Sequence, residues 1–360
     1  MEAKFKRVVV KIGSNVLTQK DGTLDTARME SLVNQVAQLH QAGVEVILVS
    51  SGAVASGRSE MKLQKKLDPV SARQLFSAVG QAKLINRYYE LFAKHGMICG
   101  QVLTTKDSFG TRIQYLTQKD CMSVMLDNKV VPIVNENDTI SVTELMFTDN
   151  DELSGLLATM MQAEALIILS NIDGIYDGDP NLPESKVITE IAPKRNLSKY
   201  IQTGKSSFGR GGMLTKCNIA RKVAEEGITV MIANGKRDGI LLDLIDKNSQ
   251  ITHTTFIANE REASGVKKWI AHSESFAKGR VIINQGAAEA LLSDKAHSLL
   301  FIGITSIEGS FEKGDIVKIT TQDGTELGVG KAQMDSEKAT ANIGKKGLRP
   351  FVHYDYLYLI

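Results

Sequence analysis

The chain of 360 residues has few of the features that mark secreted, membrane-bound or nucleic-acid-binding proteins. Its three cysteines, Cys99, Cys121 and Cys217, are odd in number and lack paired C-x-x-C spacing, which argues against a disulfide framework. Six prolines leave little room for a disordered segment. A formal net charge of +2 excludes a global electrostatic attraction to nucleic acid or anionic membranes. Function must therefore depend on local sites.

Long apolar segments and the common nucleotide-binding motifs are also missing. The N-terminal residues lead into a strand that is too short for a signal-peptide core or a membrane span. Neither the P-loop pattern G-x-x-x-x-G-K-[ST] nor the dinucleotide pattern G-x-G-x-x-G occurs in the chain. These observations predict a cytoplasmic protein without a membrane segment. They also predict that a nucleotide site, if the chain has one, uses neither of these two motifs.

The first 235 residues alternate between apolar β-branched runs and amphipathic stretches, which predicts βα units around a mainly parallel sheet. The clearest helix is Thr26–Gln41, with Gly43 as its stop signal. The strands are nearly continuous in Val, Ile and Leu, as expected for strands covered on both faces. They are predicted at Arg7–Ile12, Glu45–Ser50, Met97–Leu103, Val130–Asn135, Ala165–Asn171 and Ile228–Ala233.

The pattern changes after about Ile257, and a chain of this length favours two domains. We expect a first domain at residues 1–257, a linker at 258–278 and a second domain at 279–360. The second domain has short strands between Gly-rich turns, which predicts a compact β-barrel-like module. Its strands are predicted at Gly279–Ile283, Ser298–Ser306, Asp315–Thr321 and Glu326–Ala332.

Ligands of open α/β sheets bind beyond the carboxyl ends of the strands, where two short motifs occur. Lys11 near the end of the first strand precedes Gly13, which lets backbone amides approach a phosphate. The alternative is a strand-end lysine that extends to solvent. Ser51 and Gly52 follow the second strand and could cradle a carboxylate or phosphate, or could form an ordinary helix cap.

A third motif consists of two polar clusters that flank one loop. Residues 135–138 read Asn-Glu-Asn-Asp at a strand end, and residues 148–151 read Thr-Asp-Asn-Asp just before a helix predicted at Glu152–Met161. Seven of these eight residues are carboxylates or carboxamides. A loop can be polar for solubility alone, but these side chains also suit an ammonium group and a phosphate or its metal.

Two further segments complete the set of candidates. Residues 209–216 bring consecutive glycines into a helix whose Lys216, one turn in, could point back at a bound phosphate. The alternative is a flexible loop followed by a lysine on the helix surface. Residues 169–176 form a strand end and a turn, which reads by itself as a loop marked by Gly174.

In this order, the five segments resemble the amino-acid kinase family, and within it the members that phosphorylate the side-chain carboxylate of glutamate at the start of proline biosynthesis. The resemblance spans nearly the whole chain, and the part from about Gly279 to Ile360 is similar to the PUA domain that many bacterial members append. It implies an α/β three-layer sandwich around a mainly parallel sheet, plus the small PUA domain. It also implies ATP as co-substrate, Mg²⁺, and L-glutamate as the acceptor.

The resemblance further implies a role for each matching residue. Lys11 and Lys216 would neutralise charge on the transferring phosphoryl group, and Asp151 would hold both lysines. It assigns no protein ligand to a metal. Substrate binding is expected at Ser51, Gly52, Asn135, Asp138 and Asn150. Nucleotide binding is expected at Lys11, Gly13, Ser170, Asn171, Arg210, Gly211, Gly212, Met213, Leu214, Thr215 and Lys216.

The nucleotide segments depart from the family pattern. The family usually has Thr-Asp where this chain has Ser170 and Asn171. Arg210 replaces a small residue before the double glycine, Leu214 replaces a small polar residue, and Thr148 replaces a glycine. The sequence therefore leaves the nucleotide contacts less defined than the substrate contacts.

Two other functions fit parts of the sequence. A kinase of the same fold could act on aspartate or an acylated glutamate, but Asp138 suits a free ammonium group and matches an acylated amine poorly. Alternatively, the PUA domain could bind RNA while the first domain is regulatory. Residues 279–360 hold nine basic and ten acidic side chains, which argues against RNA binding, although Lys345, Lys346 and Arg349 form a local basic patch.

The resemblance also implies feedback inhibition by proline and assembly into a homo-oligomer. The loop at residues 139–148 is more apolar than an exposed loop requires, which suits a lid or a subunit contact. The alternative is that these side chains pack on their own domain. They are Val142, Leu145, Met146 and Phe147.

Overall fold

The structure is a computed structural model whose described part forms two compact units, which are treated separately below. The first unit contains Met1–Thr105 and Lys119–Glu262, and the second contains Lys106–Gln118 and Ala263–Ile360. The residues described are 1–61, 65–110, 112–140, 150–180, 182–193, 213–259, 270, 277–293 and 297–359.

The described strands of the first unit form one eight-stranded sheet. They are β1 Arg7–Ile12, β2 Glu45–Ser50, β3 Ile98–Thr104, β4 Val130–Glu136, β5 Ala165–Ser170, β6 Glu190–Ile191, β7 Thr229–Asn234 and β8 Thr254–Phe256. Their order is β3-β4-β2-β1-β5-β7-β8-β6. Six neighbouring strands pair in parallel, namely β3, β4, β2, β1, β5 and β7. Strand β8 runs antiparallel to β7. The prediction of a mainly parallel sheet is confirmed.

Helices cover both faces of this sheet. The longest, α4, begins after Asp68, whose side chain accepts hydrogen bonds from the backbone N–H groups of Val70 and Ser71. No described helix is both long enough and apolar enough to span a bilayer. The described helices of the first unit are α1 Ser14–Leu17, α2 Thr26–Gln41, α3 Ala53–Glu60, α4 Pro69–Ala93, α7 Asn150–Met160, α8 Met213–Glu225 and α9 Ile240–Ile245. Helix α5 Asp107–Gly110 belongs to the second unit, and α6 Arg112–Asp127 begins in the second unit and ends in the first.

The central strand β1 shows how the layers are built. Side chains alternate between the two faces of a strand, so Val8, Val10 and Ile12 enter the core that α2 and α4 cover. Lys11 therefore points to the opposite face, over which α7 packs. The alternation that places three apolar side chains in the core therefore places the Lys11 side chain on the face that α7 covers. Because helices pack on both faces of the sheet, the prediction of a three-layer sandwich is confirmed.

The second unit contains a five-stranded sheet in the order β10-β9-β11-β12-β13. Phe351 packs against Phe301 and Phe311 in its core, with ring centroids 5.6 and 6.1 Å away. Two short helices, α10 Gln285–Leu292 and α11 Ser336–Ala341, accompany the sheet. The strands are β9 Gly279–Ile283, β10 Ile304–Gly309, β11 Ile316–Thr321, β12 Glu326–Lys331 and β13 Leu357–Leu359.

One strand prediction in this unit is wrong over its first six residues. The segment Ser298–Ser306 becomes extended as β10 only from Ile304, because Phe301–Gly303 forms a turn of 3₁₀ helix. This turn buries the Phe301 ring in the core, and the Gly303 carbonyl accepts a hydrogen bond from the Asn284 N–H. A tertiary contact thus overrides the local strand preference.

Candidate active site

Asp151 joins the two lysines that the sequence marks as phosphate-binding. One carboxylate oxygen lies 2.6 Å from the Lys11 Nζ atom, and the other lies 2.9 Å from the Lys216 Nζ atom. The Asp151 side chain is fully buried, while those of Lys11 and Lys216 are 7% and 14% exposed. The lysines come from β1 and α8, which are far apart in the sequence, so a single carboxylate sets the spacing of two positive charges.

The charge state of Asp151 follows from its surroundings. Burial by itself raises the pKa of this carboxyl group, but attraction to Lys11 and Lys216 outweighs the burial and keeps its pKa below the ordinary value. Asp151 is therefore ionised at neutral pH. The three side chains together carry a formal charge of +1, which suits the phosphate groups of a nucleotide.

Gly13 follows β1 and packs directly on the neighbouring strand β5. Its N–H donates to the Leu169 carbonyl at 3.0 Å, and an added Cβ atom would lie 2.9 Å from that same oxygen. A side chain at this position would push the loop away from the sheet. The glycine thus keeps the backbone of the predicted phosphate loop close to Lys11, whose Nζ atom is 3.8 Å from the Cβ position.

Asn150 begins α7 and joins three parts of the predicted substrate site. Its Nδ2 group donates to the Ser50 carbonyl at 3.0 Å, to the Ser51 Oγ atom at 3.2 Å and to the Asn135 Oδ1 atom at 3.1 Å. The helix was predicted to start at Glu152, but it starts two residues earlier at Asn150. Acidic side chains are favoured in a first helical turn, and Asp151 in that turn is also held by the lysines.

Asn135 is oriented from two directions. Its Nδ2 group donates to the Gln81 Oε1 atom of α4 at 2.9 Å, and its Oδ1 atom accepts from the backbone N–H of Glu136 as well as from Asn150. These contacts fix which way the Asn135 amide points. Asn135, Asn150 and Ser51 therefore form one connected polar network at the ends of β2 and β4.

The segment after β2 turns sharply at Gly52. This residue has φ of 108°, in the left-handed region that favours glycine, and it precedes α3. Behind it, the buried Ser50 Oγ atom lies 2.8 Å from the Tyr88 hydroxyl of α4. Ser51 is thereby presented at the start of a helix and is nearly buried. Substrate binding by Ser51 and Gly52 stays a prediction.

Asp138 lies in an ion-pair cluster that the sequence did not predict. The Nη2 atom of Arg73, on α4, is 2.8 Å from the Glu136 Oε2 atom and also contacts the Asp138 carboxylate. The two acidic side chains are only 3% and 7% exposed. Both line a cavity of about 220 Å³, together with Ser77 and Gln81. The cavity adjoins the predicted site for the substrate amino group.

The predicted nucleotide residues are only partly within the described part of the chain. Ser170, at the end of β5, is buried, its carbonyl accepts from the Gly235 N–H at 2.8 Å, and its neighbour Asn171 is exposed. Leu214 on α8 is half exposed, between the partly buried Met213 and Thr215. Arg210, Gly211 and Gly212 lie outside the described residues, as do Thr148, Asp149 and the apolar residues of the loop at 141–149.

A second unpredicted contact lies beside Ser170 and Asn171. Asp173 accepts two hydrogen bonds from Arg237, at 2.8 and 2.7 Å, and one from Asn234 at 3.0 Å. Hydrogen bonding to Arg237, against a smaller effect of burial, lowers the pKa of Asp173. These bonds join the loop after β5 to the loop after β7.

Three residues of α4 that contact the candidate site were not predicted from the sequence, although their spacing is regular. Arg73, Gln81 and Tyr88 are spaced by eight and seven residues, so they lie on one side of α4 at 3.6 residues per turn. A polar stripe on a helix normally indicates the solvent face. Only the structure shows that this stripe faces the strand ends. Among the described residues, no cluster of His, Cys, Asp and Glu has the arrangement of a metal site.

Comparison with known proteins places both units in families. Residues 6–234 match the model of the amino acid kinase family, and residues 279–350 match the PUA domain. A glutamate 5-kinase from Bacteroides thetaiotaomicron is 65% identical over 359 residues, covering 100% of both chains. A glutamate 5-kinase from Chlorobaculum tepidum is 52% identical, with coverage of 99% of this chain and 98% of the relative.

Solved structures show the same fold at low sequence identity. Carbamate kinase from Giardia lamblia bound to AMP-PNP superposes with a TM-score of 0.50 at 16% identity. The match covers 71% of this chain and 99% of that one. It supports the three-layer architecture of the first unit, and the similarity concerns the fold alone.

Proposed function

Because the chain belongs to the amino acid kinase family, we propose that it transfers the terminal phosphoryl group of ATP to the γ-carboxylate of L-glutamate. The product is L-glutamyl 5-phosphate, and the reaction is the first step of proline biosynthesis. The relatives that support this assignment match the full length of the chain and are glutamate 5-kinases by name. The enzyme is thus a phosphotransferase with a carboxyl group as acceptor.

The observation that carries the proposal is the junction of two sites at the start of α7. Asp151 fixes Lys11 and Lys216, and the preceding residue Asn150 binds the network of Ser51 and Asn135. Phosphate-binding charge and amino-acid-binding amides are therefore adjacent. A transfer between a nucleotide and an amino acid requires this proximity.

The proposed reaction forms one bond and breaks another. A γ-carboxylate oxygen of glutamate attacks the terminal phosphorus of ATP, and the bond from that phosphorus to the bridging oxygen breaks, so that ADP leaves. Lys11 and Lys216 stabilise the negative charge on the transferring group, while the backbone at Gly13 lies close by. Asp138 binds the ammonium group, and Asn135, Asn150 and Ser51 orient the acceptor.

Mg²⁺ enters this proposal as part of the nucleotide substrate. Mg²⁺ in such enzymes is held mainly by substrate phosphates, water and one or two carboxylates. Asp151, the carboxylate nearest the predicted phosphate position, is already paired with two lysines. The described donor set therefore fits a Mg²⁺ ion that arrives with ATP and offsets the charge of its phosphates.

The proposal is tested by measuring ADP release from purified protein with ATP and Mg²⁺. Glutamate, aspartate and N-acetylglutamate are compared, with hydroxylamine present to convert any acyl phosphate into a hydroxamate. We expect a hydroxamate with glutamate that is lost in Lys216→Ala. Lys222→Ala, on the same helix but six residues further on, is the matched control and should keep the activity.

Each outcome of this test has a definite meaning. Preference for aspartate would replace glutamate by another acidic substrate of the same fold. No turnover with any of the three acids would overturn the kinase assignment and leave a binding role. Loss of activity in both lysine variants would show that the effect does not come from the site.

Proline inhibition and self-assembly are further parts of the proposal. The edge strand β3 exposes 65% of Ile98 and 38% of Leu103, and α6 exposes 60% of Val124. Within the described residues, a strand at the edge of the sheet with exposed apolar side chains supports contact with another copy of the chain. Light scattering after size-exclusion chromatography tests the assembly, and the glutamate assay with added L-proline tests the inhibition.

We also propose that the domains occupy residues 1–257 and 279–360, with a linker at 258–278, and that the protein is cytoplasmic. The family matches end at residue 234 and begin again at 279, which supports the division. All three cysteines are free, which suits a reducing compartment. Limited proteolysis followed by mass spectrometry tests the linker, because exposed linkers are cut first.

A further inference from the structure

Gln81 of α4 lies at one end of the polar network described above. Its Oε1 atom accepts a hydrogen bond from the Asn135 Nδ2 group at 2.9 Å, and the Asn135 Oδ1 atom accepts one from Asn150 at 3.1 Å. Asn150 precedes Asp151, the carboxylate that holds the two lysines. A chain of three amides therefore runs from the lysine pair to Gln81, a residue for which the sequence predicted no role.

The direction of these hydrogen bonds is set by the backbone. The backbone N–H group of Glu136 can only donate, so the Asn135 side-chain atom that lies 2.9 Å from it is the oxygen Oδ1. The Asn135 Nδ2 group is then the donor toward Gln81, which identifies the acceptor on Gln81 as Oε1. The Nε2 group of Gln81 remains, and this group can only donate.

The Nε2 group of Gln81 is open to a ligand. Among the described residues it makes no hydrogen bond, and it is not one of the fully buried polar atoms that lack a partner, so it is accessible to solvent. Gln81 lines the cavity of about 220 Å³ that Ser77 and Asp138 also line. A hydrogen-bond donor on α4 and a carboxylate beyond β4 thus border the same cavity.

The position of Gln81 is fixed because α4 packs on α3 at the preceding residue. A Cβ atom added to Gly80 would lie 1.8 Å from the Ala53 carbonyl oxygen and 2.3 Å from the Gly57 nitrogen atom. The backbones of the two helices therefore touch at Gly80. Ala53 is the first residue of α3 and follows Gly52. A side chain held on such a rigid element loses little conformational freedom when it binds a ligand.

We propose that the Gln81 Nε2 group binds the α-carboxylate of the substrate. In the proposed function Asp138 binds the α-ammonium group, and the α-carboxylate is attached to the same carbon atom, so it lies in the same cavity. A carboxylate near Asp138 requires a hydrogen-bond donor, because the two negative charges repel each other. This inference rests on the proposed function and adds to it Gln81 as the residue that selects an acceptor with a free α-carboxylate.

Two substitutions of Gln81 and a second acceptor test the inference. The acceptor is L-isoglutamine, in which the α-carboxylate of glutamate is replaced by a carboxamide and the γ-carboxylate is unchanged. Gln81→Glu keeps an acceptor for Asn135 but replaces the donor by a negative oxygen, which repels an α-carboxylate and accepts a hydrogen bond from an α-carboxamide. Gln81→Met removes both the donor and the acceptor and adds no charge.

The measured quantity is the ratio of kcat/KM for L-isoglutamine to kcat/KM for L-glutamate in the hydroxamate assay. We expect this ratio to rise about tenfold or more in Gln81→Glu, mainly through a higher KM for glutamate, and to rise less in Gln81→Met. A loss of packing alone would lower both values of kcat/KM equally and leave the ratio unchanged. Gln38→Glu, at an exposed position of α2, makes the same change of charge and is the matched control.

The outcomes distinguish this inference from the proposed function. A ratio that does not rise in Gln81→Glu while glutamate is still phosphorylated overturns the inference and leaves the proposed function intact, and so does an equal rise in Gln38→Glu. Thermal melting shows whether each variant folds, and if Gln81→Glu does not fold, an unchanged ratio in Gln81→Met overturns the inference. Absence of glutamate turnover in the wild-type protein overturns the proposed function itself, and this inference with it.

Discussion

Asn150 and Asp151 are consecutive residues in the first turn of α7, yet their side chains serve different halves of the site. The Asn150 amide donates to the Ser51 hydroxyl, whereas the Asp151 carboxylate accepts from two lysines. Neighbouring side chains on a helix point about 100° apart, so one helical turn reaches both halves. In the proposed reaction, one rigid element would therefore align the acceptor with the phosphoryl donor.

Substitution of Asp151 should affect the chemical step most. In Asp151→Asn, Lys11 and Lys216 lose the carboxylate that fixes their spacing, so we expect kcat to fall about 100-fold or more. The hydroxamate assay at saturating ATP and glutamate measures this effect. Asp243→Asn, also in the first turn of a helix, is the control and should retain the wild-type kcat. A normal kcat in Asp151→Asn would contradict the assigned role.

The same carboxyl group predicts a pH dependence of stability. Its pKa is lowered in the folded protein, so Asp151 stabilises the fold above its unfolded pKa, and this contribution is lost as the pH falls through the folded pKa. Urea unfolding at several pH values measures it. The difference in unfolding free energy between wild type and Asp151→Asn should shrink as the pH is lowered below about 4. A difference that stays constant would show that Asp151 does not titrate in this way.

Gly13 should tolerate no side chain. The Cβ atom of Gly13→Ala would lie 2.9 Å from the Leu169 carbonyl oxygen, which belongs to the rigid sheet. We expect the free energy of unfolding to fall by about 1–3 kcal/mol, and activity to drop as the loop shifts. Gly110→Ala is the control, since the described part of the chain places no atom within 4 Å of its Cβ position, apart from the chain neighbours and the backbone of its own helix. Equal stability of the two variants would refute the packing argument.

The cysteines should differ sharply in reactivity. Burial raises the pKa of the Cys99 thiol to about 11 and that of Cys217 to about 12, so both remain protonated at pH 8. Cys121 is exposed. Brief treatment of the native protein with iodoacetamide should therefore modify Cys121, while the protein in urea should be modified at all three positions. Mass spectrometry of peptides tests this, and fast labelling of Cys217 in the native state would contradict it.

The sequence predicts the strands of the first unit well because they are buried on both faces. Continuous apolar runs define β1 and β2 to the residue, and the helix Thr26–Gln41 is also exact. The predicted strand at Ser298–Ser306 failed because the burial of the Phe301 ring is a tertiary effect. Local patterns cannot contain such information, since it depends on what packs against the segment.

The candidate site was also predictable only in part, because some of its residues lie in sequence motifs and others do not. Lys11, Asp151 and Lys216 lie in recognisable motifs, and the structure brings them together. Arg73 and Arg237 lie in stretches with no motif, and each matters only through a partner distant in sequence. Residue type and spacing identify side chains that could meet a ligand, whereas the side chains that hold them in place become visible only with the fold.

The candidate active site contains two ion clusters of opposite composition, one with two lysines and one carboxylate and the other with two carboxylates and one arginine. The first joins Asp151 to Lys11 and Lys216, and the second joins Arg73 to Glu136 and Asp138. Asn150 precedes Asp151 and Asn135 precedes Glu136, so the hydrogen bond between the two amides connects the clusters. Glutamate bears two carboxylates, only one of which shares a carbon atom with the ammonium group. In the proposed reaction, Asp138 binds that ammonium group, which keeps the α-carboxylate near Asp138 and leaves the γ-carboxylate to approach the lysines. The proposed function therefore assigns the choice of the γ-carboxylate to the placement of charged side chains in the protein, which exists before the nucleotide binds.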